Sequence, residues 1–243
     1  MNRCSIVEWK VIRLTEVGST NDYAREIAED VPDGTVVVAR RQTSGRGRKD
    51  RSWVSPEGGL WMTAILKPKS SPEHVPKLVF VGALAVTDTL AQYGIEGKIK
   101  WPNDVLVGGR KIAGILSECK LNSFALLGIG LNVNNEVPEE LRDGAVSMTE
   151  LLGRKLDPNE VLERLLRSLS YWYSLFRSGR HGEILRSVRN RSAVIGKEVV
   201  ILEDGEVILR GRAVGIDESG ALLVDTGERV ERVLYGDVSL RLP

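Results

Sequence analysis

The chain has 243 residues, 42% of them hydrophobic and 28% charged, with 34 basic against 33 acidic side chains. That length suits one full domain with a small appendage, and the balanced charge excludes a molecule drawn as a whole to nucleic acid or to an anionic membrane. Cys4 and Cys119 have no metal-ligand spacing and read as thiols of a reducing compartment; the first ten residues lack the apolar core of a secretory signal, and the longest apolar run, 78–86, falls short of the ~20 residues of a spanning helix. The expectation is a cytoplasmic protein with no membrane contact.

Residues 11–17 read as a short strand running into Ser19-Thr20-Asn21, where either hydroxyl can cap a helix that continues through Ala28. Pro32-Asp33-Gly34 is turn chemistry. Residues 35–39 and 60–66 read as buried strands, the second closed by Pro68. Residues 75–92, rich in Ala, Leu and Val with Gly94 beyond, predict a helix buried on most sides. Residues 98–101 and 105–107 are strands, and Gly108-Gly109 turns the second into a strand over 110–118. Residues 124–133 form another, with Gly128 and Gly130 in its interior, where a ligand or neighbouring strand can come close.

Asp157-Pro158-Asn159-Glu160 starts a helix through Phe176, with Val161, Leu165, Leu166, Leu169 and Trp172 as its apolar stripe. A shorter helix follows over 182–188. From Ala193 the pattern changes to short alternating strands punctuated by Asp204-Gly205, Ser219-Gly220 and Thr226-Gly227, which fits a small closed barrel. The expected boundary lies near Arg191, dividing residues 1–190 from 191–243.

Four clusters carry chemistry. In residues 40–51, six of twelve side chains are basic, and Gly45-Arg46-Gly47-Arg48 alternates glycine with arginine. Glycines admit an anion to backbone amides and guanidinium groups bind phosphate oxygens in pairs; mutual repulsion predicts a loop that is mobile when empty and orders on an anion. Lys100-Trp101-Pro102-Asn103-Asp104 places an amide and a carboxylate at a strand edge, the carboxylate able to take Mg²⁺. Lys111, on a strand of otherwise buried residues, must snorkel or meet an anion, and Gly114 three residues on leaves room for a flat ligand. Asn132 and Asn134 alternate at the end of the 124–133 strand, where both amides face one side.

Taken together, these motifs in this order resemble the biotin–protein ligases over nearly the whole chain. The resemblance implies an α+β fold, a mixed sheet flanked by helices as in class II synthetases, with a C-terminal SH3-like barrel. It implies a two-step reaction in which ATP converts biotin to biotinyl-5'-AMP and the biotin passes to a lysine of a biotin carboxyl carrier protein. Ser19, Thr20, Asn21 and Gln42 match positions that hold the ring end of biotin; Gly45, Arg46 and Arg48 match the loop that folds over it; Lys111, with Gly114 nearby, matches the lysine at the biotin carboxylate and α-phosphate. Arg48, Lys49, Trp53, Asn103, Asp104 and Asn132 match the nucleotide side, and Arg48 with Lys111 are the catalytic pair. ATP and Mg²⁺ are implied, with Asp104 as a possible metal contact.

Two departures stand out. Lys49-Asp50 replaces an Arg-Gly continuation common in the family, which predicts altered loop closure. About ten residues precede the first strand, which predicts the monofunctional form without a DNA-binding arm. Homodimerisation through an edge strand is compatible with the pattern. The rival within the fold is a lipoate ligase, which as a rule lacks the alternating Gly-Arg loop; the rival from another class is a nucleic-acid module gripping through the basic loop and barrel, with affinity falling steeply in salt.

Overall fold

The computed structural model of the chain describes residues 7–234 and 236–239; Cys4 lies outside them, and Cys119 is an exposed free thiol. A seven-stranded mixed sheet forms the frame, in the order β1-β2-β3-β7-β6-β5-β4. Its strands are β1 (Lys10–Val17), β2 (Thr35–Gln42), β3 (Leu60–Leu66), β4 (Lys98–Lys100), β5 (Asp104–Val107), β6 (Arg110–Lys120) and β7 (Phe124–Leu131). β1 pairs with β2 in parallel and every other pair is antiparallel. That connectivity follows from the short turns: Gly108 and Gly109, both at positive φ, close the β5–β6 hairpin, whereas the parallel β1–β2 pair requires the crossover helix α1 (Thr20–Ile27).

Each sheet face is covered. α1 buries Ala24 and Ala28 against Val37, Ile65, Phe124 and Leu126 on one side. On the other, α2 (Leu78–Ala91) lies on the sheet and beneath α4 (Pro158–Arg177), and the expected stripe from Val161 to Trp172 is buried in that layer. Residues 72–91 form a stretch apolar enough in composition to cross a membrane, a length the run 78–86 did not suggest; most of it is buried inside the protein, as the central helix of a two-sided core must be. Its start, Pro72–Lys77, is 3-10 helix, where the Pro76 ring escapes the clash it would make in an α-helix with the carbonyl four residues back. A five-residue helix α3 (Met148–Leu152), capped by Ser147, has too few residues for a periodic pattern and was not expected.

After α5 (His181–Asn190) the chain forms β8 (Glu198–Glu203), β9 (Glu206–Ile216), β10 (Leu222–Asp225), β11 (Val230–Val233) and β12 (Asp237–Ser239). The expected closed barrel is an open antiparallel sheet among the described residues, ordered β11-β10-β9-β8-β12. β12 pairs with β8, at Val238↔Ile201, so the two end strands do not meet. This sheet shares its core with the rest: Val199, Ile201, Ala213 and Leu222 belong to the same buried cluster as α2 and α4. Arg191, at the expected boundary, binds Thr87 and Asp88 of α2 at 2.7 and 2.6 Å.

Candidate active site

The site begins as an absence of side chains. Residues directly paired on neighbouring strands share a sheet face, and the register lines up Trp61, Gly130, Gly114, Asp104 and Lys100 across five strands. The adjacent row is Thr63, Gly128 and Leu116. Three glycines therefore leave a trough on the α1 side of the sheet, walled by Trp61 at one end and by a carboxylate and an ammonium at the other. The glycines are required. A Cβ at Gly130 would stand 2.6 Å from Trp53 Nε1, one at Gly114 2.9 Å from Trp53 Cζ3, and one at Gly128 2.3 Å from Asn21 Oδ1. What lies against Gly114 is thus the indole of Trp53, rather than open space for a ligand; the flat group expected there belongs to the protein itself.

At one end of the trough α1 starts. Ser19, rather than Thr20, caps it, its hydroxyl accepting from Asn21 N at 3.2 Å. Thr20 donates through N and Oγ1 to Gln42 Oε1 at 2.8 and 3.0 Å, and Gln42 Nε2 donates to Ser55 Oγ at 2.7 Å. The Thr63 hydroxyl donates to Asn21 Oδ1 at 2.6 Å, and Asn21 Nδ2 donates to Glu118 Oε2 at 2.7 Å. By donor and acceptor inventory, Gln42 keeps one N–H, and Asn21 keeps one N–H and one lone pair. Such a cup suits a small ring carrying adjacent N–H and C=O groups.

At the other end Lys111 Nζ sits 2.7 Å from Asp104 Oδ1 and 4.8 Å from the Trp53 ring centroid, so the half-buried strand lysine meets both an anion and an aromatic face. Asn103 donates to Ile115 O at 3.0 Å and accepts from Arg48 at 3.3 Å. Lys100, opposite Asp104, has its pKa lowered first by burial, with Lys111 and Arg51 adding repulsion while Asp104 and Asp237 oppose it.

The basic loop closes over the trough, and its cations are answered by carboxylates. Arg46 lies 2.8 Å from Asp22 and 3.5 Å from Glu118. Arg48 reaches Gly236 O at 3.3 Å and Asp237 at 3.8 Å, and Arg51 pairs with Asp237 at 2.5 Å. The cavity of about 160 Å³ beneath is lined by Ser19, Thr20, Asn21, Gln42, Arg46, Arg48, Trp53, Asn103, Asp104, Lys111 and Gly114, among others. Arg48 and Lys111, far apart in sequence, thus face one space.

Three expected residues do not line it. Gly45 packs against Trp53 O, Ser55 and Gln42, where a Cβ would come within 2.3 Å of the carbonyl, so it supports the Gln42 amide. Lys49 takes a left-handed conformation, φ 55°, and pairs with Asp204 on the C-terminal sheet at 3.1 Å, outside the cavity. Asn132 opens onto a neighbouring cavity of about 550 Å³ that also contacts Trp53 and Lys111; its amide is partly engaged, with Val146 O and Asn135. Asn134 is turned to Thr149 and Leu156 and braces loops. Trp53 stands at the wall shared by the two cavities, its Nε1 buried without a hydrogen-bond partner among the described residues.

Glu118, Thr63 and Asp237 were not expected at the site, and Arg51 and Lys100, though inside the clusters singled out in the sequence, were given no role of their own. Period-two alternation from Gly114 through Leu116 reaches Glu118, and the same count from Trp61 reaches Thr63, so those two were within reach of the sequence. Asp237 enters only because the C-terminal sheet folds back on the loop.

Comparison with known proteins agrees with this geometry. Residues 12–134 match the Biotin/lipoate A/B protein ligase family, and residues 194–241 match the Biotin protein ligase C terminal domain. The chain is 35% identical over 234 residues to the Bifunctional ligase/repressor BirA of Bacillus subtilis, covering 92% of this chain and 72% of that protein. It is 36% identical to the Biotin--[acetyl-CoA-carboxylase] ligase of Mycobacterium tuberculosis, over 93% and 86% of the two chains. Among solved structures, the biotin protein ligase from Aquifex aeolicus in complex with biotin and ATP superposes with a TM-score of 0.85 at 36% identity, covering 95% of this chain and 98% of that one. The glycine-floored trough, its two cationic arms and these matches over nearly the full chain make the protein a member of the biotin/lipoate A/B protein ligase family.

Proposed function

We infer that the protein is a biotin–protein ligase, which activates biotin with ATP and transfers it to a lysine of a carrier protein. The observation that carries the site assignment is the convergence of Arg48 and Lys111 on one cavity whose far end is the Ser19–Thr20–Asn21–Gln42 cup. A ring bound in that cup directs its carboxylate toward Lys111, and the nucleotide lies on the Trp53, Asn103 and Asn132 side.

In the first step a carboxylate oxygen of biotin attacks the α-phosphorus of ATP, the bond to the β-phosphate oxygen breaks, and pyrophosphate leaves. In the second, the neutral amine of the acceptor lysine attacks the acyl carbon and AMP departs with the bonding electrons. No protein nucleophile takes part. The protein positions the two reactants and sets fixed positive charge where negative charge grows on phosphate, a role we assign to Lys111 and Arg48. Asp104, already paired with Lys111, orients that ammonium. No group of three His, Cys, Asp or Glu side chains suited to a metal occurs among the described residues. The site therefore fits Mg²⁺ only as an ion carried on the ATP phosphates with Asp104 as a single carboxylate contact, where it would neutralise triphosphate charge.

We assign the catalytic part to residues 1–190 and the small sheet to residues 191–243, and take a biotin carboxyl carrier domain as the acceptor. Among the described residues β1 is an edge strand, and we take that edge as the candidate surface for pairing with a second copy. A nucleic-acid role is disfavoured because Arg46, Arg48, Lys49 and Arg51 all have carboxylate partners. The test is direct: with ATP, Mg²⁺ and biotin, mass spectrometry should show biotinyl-AMP, and an added carrier domain should gain the mass of one biotin. Adenylation of lipoate in preference to biotin would overturn the assignment.

A further inference from the structure

Glu118 does not touch the cavity, yet it joins three elements that build its biotin end. From β6 its carboxylate accepts from Asn21 Nδ2 at 2.7 Å and Arg25 at 2.8 Å, both on α1, and its other oxygen lies 3.5 Å from Arg46 on the loop. Asp22 completes the group, 2.7 Å from Arg25 and 2.8 Å from Arg46. Resting on the ligase reading above, we propose that Glu118 is a positioning residue for biotin capture, fixing the Asn21 amide and tethering Arg46 over the cavity before ligand arrives.

The chemistry is specific to a carboxylate. It accepts and cannot donate, so Asn21 must present its N–H to Glu118 and its carbonyl to Thr63, leaving the complementary N–H and lone pair for the ring. Both guanidiniums lie against both carboxylates, so the four groups act as one network. Asp22 shows how close the coupling is: its burial favours the neutral acid, but hydrogen bonds and charge from Arg25 and Arg46 hold its pKa below the ordinary value. Without Glu118, Arg25 and Arg46 lose a carboxylate they share, and the hold of β6 on the loop arm at Arg46 is loosened. A loop held in place beforehand binds with less ordering to be done, so the effect falls on capture rather than on the chemical step.

The test is Glu118→Gln. Charge-assisted hydrogen bonds of this kind are worth about tenfold in binding, so KM for biotin should rise about tenfold, with kcat of adenylation and KM for ATP near those of the parent. Trypsin should cut within 46–51 faster in the biotin-free variant. Glu118→Asp should recover part of the loss. Arg46→Gln removes the same contact from the loop side and leaves β6 untouched, and its protease protection reads the tether apart from any direct contact of Arg46 with ligand. The Glu118→Gln/Arg46→Gln double variant should lose less than the product of the two single losses, since the contact between the two residues is common to both. Unchanged biotin KM and unchanged protease protection in both singles, or losses that multiply in the double, would overturn the proposal. If the parent protein forms no biotinyl-AMP, the ligase reading fails instead, and the protease result still judges the tether.

Discussion

Arg46 and Arg48 are two residues apart, yet they answer to different parts of the molecule. Arg46 turns inward to Asp22 and Glu118, on the helix and sheet that hold the biotin cup. Arg48, followed by Lys49 and Arg51, turns to Asp204, Gly236 and Asp237 on the C-terminal sheet. One loop thus has two arms, one anchored within the catalytic part and one anchored across to the small sheet. On the site assignment proposed above, the difference teaches that biotin capture is a local property, whereas the nucleotide side draws on residues almost two hundred positions away. Perturbing the C-terminal sheet should therefore move ATP parameters and spare those of biotin.

Lys111 belongs to neither arm and serves both, so its loss should be the largest. Lys111→Ala removes the ammonium we assign to the reacting phosphate, and adenylation should slow by about 10²–10³, the range for a transition-state donor. Pyrophosphate release at the parental rate would remove Lys111 from the mechanism. Arg48→Ala should cost about 10² in the same assay and, by opening the arm over the reactive anhydride, should let biotinyl-AMP escape. Unchanged retention on a filter would show that closure does not depend on that arm.

The division itself is tested by Asp237→Asn. This side chain holds both Arg48 and Arg51 and stands clear of the biotin cup, so KM for ATP should rise about tenfold with KM for biotin unaltered. An equal rise in both would falsify the two-arm description. Lys100→Met probes the same end from beneath. Burial depresses the Lys100 pKa from its ordinary value of 10.5, so the charged amine costs stability at every pH below that value. The variant should melt a few degrees higher and show a several-fold weaker KM for ATP. A lower melting temperature would mean that Asp104 and Asp237 already repay the buried charge.

The frame of this site was legible in the sequence because it is written in local chemistry. The Gly-Arg loop, the Asn103-Asp104 edge and Lys111 all lie on or next to elements whose periodicity is plain. Glycines at 114, 128 and 130 announced a close approach, but not what approaches. Register decides that, and register places Trp53 on Gly114 and Gly130 and Asn21 on Gly128. Lys49 shows the limit from another side: its charge suggested a phosphate, while its left-handed backbone and the position of Asp204 turn it away. The barrel expectation had the same origin. Alternation and three turns mark the run of short strands, but only pairing shows that β12 joins β8 and leaves β11 at an edge.

The smallest expected effect on activity comes from the turn that seats the small sheet on the catalytic part. Asp217 organises residues 217–221: its Oδ1 accepts from Ser219 N at 2.8 Å, Ser219 Oγ at 2.6 Å and Ala221 N at 3.0 Å, and its Oδ2 from Arg232 at 2.7 Å. The turn in turn presents Gly220 O to Trp101 Nε1 at 2.9 Å, one residue before Pro102 and two before Asn103. Burial alone would raise the Asp217 pKa, but these hydrogen bonds overcome it and lower the value from 3.8 to about 2. A carboxyl whose folded-state pKa is depressed stabilises the fold above its unfolded value and loses that contribution as pH falls through the folded one. Asp217→Asn should therefore cost about 2 kcal/mol at pH 7, with adenylation changed less than about twofold, since the turn touches the site through a single hydrogen bond. Denaturant titrations of both proteins should converge as pH is lowered from 4 toward 2; a gap that stays constant over that range would assign the stabilisation to packing of Gly220 on Phe80, and not to the ionised carboxylate.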